Sequence, residues 1–386
     1  MENRRDIYKA LLLTNFLLFF GFNLWRAIFN NFAVEELGVQ ANQIGLIQSL
    51  REIPGLIGFS VGFLALFLAE INILGLSVML LGAGLAATGW AYDFASLILG
   101  TLVMSVGFHF FFSSSSSVVL MLATKDESPK VLGRLRSIGS FAAVVATIMV
   151  FLIVEPLGYR GLLYLAGGVT FLGGLVTFLR SPKSLGVSFE QRIIFRRRYM
   201  LYYVLTFLMG SRRHIFTTFA IFLLVSVHGI SAQQTAILFL VNSLLTTYAY
   251  QQLGRLVSRF GERRILTVNF ILLALVFLGY AYISYLPILY LLFVIDNILF
   301  GLSITLSTYF QKIATPEEIT SNISMAQTIN HVAALFVPAA GGVIWTLYGP
   351  QATFLAGVAI VLISLVLTQR MPLKEEPQPA FSPAAH

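Results

Sequence analysis

Residues 26–33 read RAIFNNFA and residues 213–220 read RHIFTTFA. Each string lies inside a long apolar run, and each carries an arginine where a membrane helix is normally most apolar. A guanidinium stays charged and offers a planar fork of donors that fits carboxylate or phosphate. At the centre of a membrane helix it costs roughly 2.5–3.5 kcal/mol on insertion scales, so the default expectation is a functional residue facing a wet cavity. Asn23, Arg26 and Asn30 stand at i, i+3 and i+7, on one stripe of a helix, and Arg213 and Thr217 repeat the last two members. Arg26 and Arg213 are therefore the candidate anion ligands. Asn23, Asn30 and Thr217 would orient the bound molecule, and Asn330 and His331 are further candidate contacts on a later helix.

Other intramembrane polar groups are few. Gln48, Arg51 and Glu52 share a stretch; His109, Ser113, Ser116 and Ser117 form a stripe in HFFFSSSSS; Arg212 and His214 flank Arg213; Asp296 and Asn297 are adjacent. Intramembrane carboxylates and histidines form proton relays, which makes Glu52, Asp296, His331, Arg51 and His109 candidates for ion coupling. Four intramembrane arginines face two acids, so two positive charges remain even if both acids are paired. A buried cation needs a partner, and an anionic substrate would supply it. The alternatives are an interior salt bridge from Arg26 to Glu52 or Asp296, and a serine run that only lets helices approach closely. Arg212 and Arg213 point about 100° apart, so one of them faces away from any cavity. Adjacent residues do not face each other on a helix, so Arg51 and Glu52 need not be partners.

The elements that carry these residues follow from composition. The chain has 386 residues, 57% hydrophobic and 11% charged, with a mean hydropathy of +0.84. A soluble domain has about 25% charged residues, so the bilayer is the main solvent here. The absence of cysteine excludes disulfide and thiolate chemistry. Apolar stretches of about 20 residues span a bilayer, and twelve are expected: 8–33, 42–68, 71–91, 94–123, 132–154, 161–179, 199–226, 232–253, 265–285, 287–311, 321–347 and 350–369. With the N-terminus inside, the inner segments hold twenty Lys and Arg, the outer loops hold Arg160 alone, and four arginines fall within helices. That asymmetry puts both termini in the cytoplasm, in the inner membrane if the cell is prokaryotic. The charged start and apolar run resemble a signal peptide, but the run is too long and no small-residue cleavage site follows.

The arginine strings belong to a longer repeat. GVQANQ at 38–43 matches GISAQQ at 229–234, ATKDE at 123–127 matches ATPEE at 314–318, and SIGSFAA at 137–143 matches TINHVAA at 328–334, each at an offset of 191; YLAG at 164–167 matches FLAG at 354–357 at 190. The expected fold class is an all-α polytopic membrane protein of twelve transmembrane helices in two parallel six-helix repeats. The expected organisation is a first half at 1–179, a basic linker at 180–198, a second half at 199–370 and a disordered tail at 371–386. Residues 254–264, GRLVSRFGERR, match the inner-loop signature of the major facilitator superfamily at Gly254, Arg259, Gly261, Arg263 and Arg264, with Ser258 at the acidic position. The first-half copy, GFLALFLAEIN at 62–72, keeps only Gly62.

The chain thus resembles that superfamily over nearly its whole length. The resemblance implies a secondary transporter whose halves rock around a midplane site, with the first helix of each half lining the cavity and Arg26 facing Arg213. It also implies a gating or structural role for the loop arginines at helix ends and lipid headgroups. The arginine pair is similar to that of the organophosphate antiporters. The expected function is transport of a small or medium organic anion by alternating access, coupled to H+ or to exchange, as a monomer and without cofactor, metal or nucleic acid. The alternative is proton-coupled efflux of amphipathic drugs, for which 34 phenylalanines speak. No phosphate-binding Gly-rich loop, nucleophile motif or metal-ligand spacing is present, so an enzyme is not expected.

Overall fold

The computed structural model describes residues 2–58, 61–122, 128–180 and 195–372. Most of the linker, the tail beyond 372 and the repeat member at 123–127 lie outside the described residues. The helices in chain order are α1 (Glu2–Asn31), α2 (Ala41–Leu50), α3 (Ile53–Leu56), α4 (Val61–Leu64), α5 (Glu70–Trp90), α6 (Phe94–Leu122), α7 (Ser128–Leu179), α8 (Met200–Ser226), α9 (Ala232–Phe260), α10 (Glu262–Tyr282), α11 (Leu286–Phe300), α12 (Ile304–Ile313) and α13 (Pro316–Thr368).

Eight of the helical stretches are long and apolar enough to cross a membrane, and two of these are double. A continuous α7 of 52 residues would run about 78 Å, against a hydrocarbon core of about 30 Å. It turns back instead at Gly158, whose φ of 66° is left-handed and open to glycine without a Cβ penalty. Asn15 of α1 donates to Leu135 O at 2.9 Å, while a Cβ on Gly173 would lie 2.3 Å from Leu17. Both limbs of α7 therefore lie against the same turn of α1. α13 folds back in the same way at Gly349, with φ 86°, and Thr353 closes the hairpin on Gly341 O at 3.0 Å. The remaining two of the twelve spans are α2–α4 and α9; the second half of α9 carries Gln251, Gln252, Arg255 and Arg259.

The backbone repeats with the sequence. Left-handed glycines stand at 38 and 229 and at 158 and 349, both pairs at the 191-residue offset. Gln40 with Gln43 and Ser231 with Gln234 form capping boxes, a reciprocal satisfaction of helix-start donors, at the same offset. One symmetric pair of glycines is used differently in the two halves. A Cβ on Gly167 would lie 2.7 Å from Gly82 O, so α5 and α7 touch backbone to backbone. A Cβ on Gly357 would instead meet the ring of Phe277 at 2.2 Å.

Two expected spans are interrupted. The stretch 42–68 is not one helix, because α2 stops at Leu50 and α3 begins at Ile53. Pro54 lacks a backbone donor and disfavours helix in the residue before it. Within 287–311, a 3-10 turn at Gly301–Ser303 separates α11 from α12. Among the described residues, the polar contacts that join the halves lie at mid-depth or toward the end away from the termini. Asn31 donates to Ile230 O (2.8 Å), Gln233 to Glu155 (2.6 Å) and the Ala339 amide to Ser49 (2.9 Å). There α2 crosses α13 so closely that a Cβ on Gly45 would lie 2.2 Å from Pro338 O.

Candidate functional site

α1 and α8 start the two halves and face a shared central cavity of about 290 Å³. Arg26, Asn30, Arg213, Thr217 and Asn330 line it, as the sequence stripe anticipates, together with Gln48, Arg51, His214 and Asn297. Asn23 is not in this lining; its amide donates to Phe19 O within its own helix at 2.8 Å. The sequence analysis also passed over the apolar walls. Phe22, Trp25, Phe29, Phe216, Phe239, Phe293 and Phe300, with Ile221, complete the lining, and the only signal for the rings was the abundance of phenylalanine.

The two arginines are held differently. The Arg26 guanidinium lies 4.7 Å from the Phe239 ring centre, and no carboxylate pairs with it among the described residues. Arg213 donates to Asp296 Oδ2 at 2.9 Å and to Asn297 Oδ1 at 3.0 Å, with its guanidinium 4.2 Å from the Phe300 ring. Arg212 takes the other oxygen, Asp296 Oδ1, at 2.7 Å from a fully buried position. The two neighbours diverge around α8, yet one carboxylate on α11 spans them: Arg213 faces the cavity and Arg212 sits behind it. Two guanidiniums share one acid, and Arg26 has none, so two positive charges remain uncompensated around the cavity. The expected alternative of a salt bridge from Arg26 to Glu52 or Asp296 is not what the structure contains.

Glu52 belongs to a second cluster. The break between α2 and α3 lets Arg51 reach its neighbour, with Nη2 3.6 Å from Glu52 Oε1. They pair, contrary to the helical expectation, because residues 51–52 are a turn. Glu52 Oε2 lies 3.0 Å from His331 Nδ1 of α13, a contact between the halves. The His331 ring is 5.3 Å from that of His109 on α6. Both imidazoles lie over Gly55, where a Cβ would come within 2.6–2.8 Å of them. His331 therefore sits with the coupling candidates rather than in the cavity, and Asp296 sits with the arginines rather than with Glu52.

At the end bearing the termini, Gly261 turns the chain between α9 and α10 with φ 77°. Arg263 donates to Met371 O at 3.1 Å, just past the end of α13. Arg259 lies against the Phe260 ring, Arg264 is exposed, and Gly254 lies within α9. Glu318, at the start of α13, gathers the end of the linker: Tyr199 donates to it at 2.7 Å, Arg196 at 3.0 Å, and Arg198 also binds it.

The family model of the Major Facilitator Superfamily matches residues 11–338. The chain belongs to the Major Facilitator Superfamily. As a member of this superfamily it is a multi-pass secondary transporter of small molecules rather than an enzyme. Among solved structures, it is similar to that of the nucleoside transporter NupG, with 15% identity, 95% of this chain and 99% of that chain covered, and a TM-score of 0.78. It is also similar to that of a bacterial homolog to the human lysosomal transporter Spinster in an inward-facing and occupied conformation, with 14% identity, 98% and 100% coverage, and a TM-score of 0.76. At these identities the two likenesses speak for the superfamily fold. None of the curated proteins matches the chain.

Proposed function

We propose that this transporter carries an organic anion, held by Arg26 and Arg213, by alternating access of its two six-helix halves. The observation that carries the reading is a cavity lined by three arginines and, among the described residues, by no carboxylate. An anion would bind the free Arg26 directly and the cavity-facing edge of Arg213, through charge-assisted hydrogen bonds. Asn30 and Thr217 would orient it; Asn330, packed over Gly210, adds an amide. The Lys and Arg distribution supports cytoplasmic termini. In that orientation the described contacts between the halves, Asn31 with Ile230 and Gln233 with Glu155, lie toward the outer end.

Glu52 and His331 support proton coupling, because they bridge the halves through one titratable contact at 3.0 Å. Protonating Glu52 would weaken that bridge and the pull of Arg51, which links proton occupancy to the separation of the halves. Arg263 on Met371 O supports a structural role for the inner loop. The second reading, proton-coupled efflux of amphipathic drugs, draws support from the aromatic walls, but the surplus positive charge opposes a cationic cargo.

The test is counterflow in proteoliposomes with panels of anionic, uncharged and cationic solutes, repeated with Arg26→Gln, Arg213→Gln and Glu52→Gln. Transport confined to anions, lost in both arginine variants, and a flattened pH profile in Glu52→Gln are expected. Full transport of an uncharged or cationic solute by both arginine variants overturns the anion reading.

A further inference from the structure

We infer that the cargo is an amphipathic anion built on a flat aromatic ring that also carries a hydrogen-bond donor, rather than a small aliphatic or polyhydroxylated anion. This rests on the anion-carrier reading above and narrows it to a substrate class.

The first argument is the setting of the charges. Each cavity arginine already lies against a ring: Arg26 at 4.7 Å from Phe239, Arg213 at 4.2 Å from Phe300, and Arg51 at 5.3 Å from Trp25. A guanidinium in this setting offers its edge to an anionic group and leaves flat apolar faces beside it, where a ligand ring stacks. A polyol phosphate would place several hydroxyls against these faces, where they lose water without gaining partners.

The second argument is the charge count. Arg212 and Arg213 share Asp296 and Arg51 keeps Glu52, so Arg26 alone has no acid and the surplus of two positive charges suits one anionic group of charge one or two.

The third argument is independent of charge. Three cavity-lining residues hold buried polar atoms without partners among the described residues, Nε1 of Trp25, Oδ1 of Asn30 and Nε2 of His214. Trp25 is 1% exposed and Asn30 9%. Buried polar atoms are nearly always satisfied, so unpartnered donors and acceptors on residues that line one cavity favour a cargo that brings hydrogen-bonding groups beside its ring. A carboxylate oxygen suits the indole N–H; a ring hydroxyl or amine suits the Asn30 oxygen. The volume of about 290 Å³ lies at the lower edge of ligand pockets, which run from about 300 to 1,000 Å³, and so fits one or two rings.

The test uses the purified full chain and calorimetric titration up to about 1 mM, the top of the usual KM range. The probes are 4-hydroxybenzoate, benzoate, cyclohexanecarboxylate, glycerol 3-phosphate and 4-hydroxybenzamide. The expected order places 4-hydroxybenzoate first, with cyclohexanecarboxylate and glycerol 3-phosphate weaker by roughly tenfold or more, as expected when one stacked ring or one paired group is missing. Phe239→Leu is expected to weaken 4-hydroxybenzoate by roughly twofold to thirtyfold, the span of one cation–π contact, and to weaken glycerol 3-phosphate less. Asn30→Ala is expected to erase the advantage of 4-hydroxybenzoate over benzoate. If glycerol 3-phosphate or cyclohexanecarboxylate binds as tightly as 4-hydroxybenzoate, the aromatic inference is overturned and the anion reading stands. If 4-hydroxybenzamide binds as well as the acid and Arg26→Gln changes nothing, or if no anion binds, both are overturned. The probe comparison on the unaltered chain decides the matter even where a variant does not fold.

Discussion

Arg26→Gln separates a binding role from a structural one by the sign of its effects. In the structure the Arg26 guanidinium has a ring beside it and no acid, so without cargo it is an unmatched charge near the bilayer midplane. Removing an unmatched functional charge stabilises by roughly 0.5–2 kcal/mol, as relief of a strained site commonly does. The substitution also removes a charged hydrogen bond to the cargo of roughly 1.5–3 kcal/mol, which weakens binding roughly tenfold to 150-fold. Arg213→Gln behaves in the opposite way in the empty protein. It breaks the 2.9 Å bond to the buried Asp296, while Arg212 retains the other oxygen at 2.7 Å, so the loss is roughly 1–3 kcal/mol, that of one buried hydrogen bond. The assay is a thermal melt of each purified variant with and without anion, beside an isothermal titration. A raised melting temperature for empty Arg26→Gln, a lowered one for Arg213→Gln, and weakened anion binding in both are expected. An empty Arg26→Gln that melts as low as Arg213→Gln, or that binds the anion within threefold of the original, refutes the reasoning.

Asp296→Asn strands two guanidiniums at once and is expected to cost about 3–5 kcal/mol, the cost of breaking a buried ion pair from one side; Arg212→Met combined with Asp296→Asn is expected to recover part of it, which a double-mutant cycle of melting temperatures measures. Gly45→Leu puts side-chain atoms where Pro338 O stands 2.2 Å from a Cβ, so the halves should fail to close at that end, and cysteine-pair cross-linking there should fall. Tyr199 and then Arg198 hold the Glu318 carboxyl down from 4.5 to about 2. A carboxyl with a lowered folded-state pKa adds stability that is complete above 4.5 and is lost as pH falls toward 2; Glu318→Gln should therefore melt lower than the original at pH 6 and converge with it only near pH 2.

The sequence made the architecture legible because the bilayer imposes a length and a charge asymmetry that any chain must show. The breaks expected between 68 and 71, 91 and 94, 285 and 287, and 347 and 350 stand where α5 starts, where α5 passes to α6, where α10 passes to α11, and where α13 doubles back. The break after Leu50 was within reach, since Pro54 is visible in the sequence, but hydropathy averages over a single proline. The site was half legible. Arg26 and Arg213 announce themselves because a charge in lipid is costly. That Asp296 takes both Arg212 and Arg213 from a helix more than eighty residues away, or that Glu52 meets His331 across the halves, depends on packing no local pattern encodes. The rings around the arginines were hidden for a different reason: in a membrane chain a phenylalanine facing lipid and one facing a cavity look alike.

The glycine pair at 167 and 357 makes the two halves unlike as machines. Where Gly167 rests on the main chain of Gly82, there is no side chain to give, and α5 and the second limb of α7 move as a single plank. Where Gly357 receives the Phe277 ring, the spacer is an aromatic disc that can tilt, so the second half is the springier partner. Slow amide-deuterium uptake should follow that difference, with the plank exchanging last.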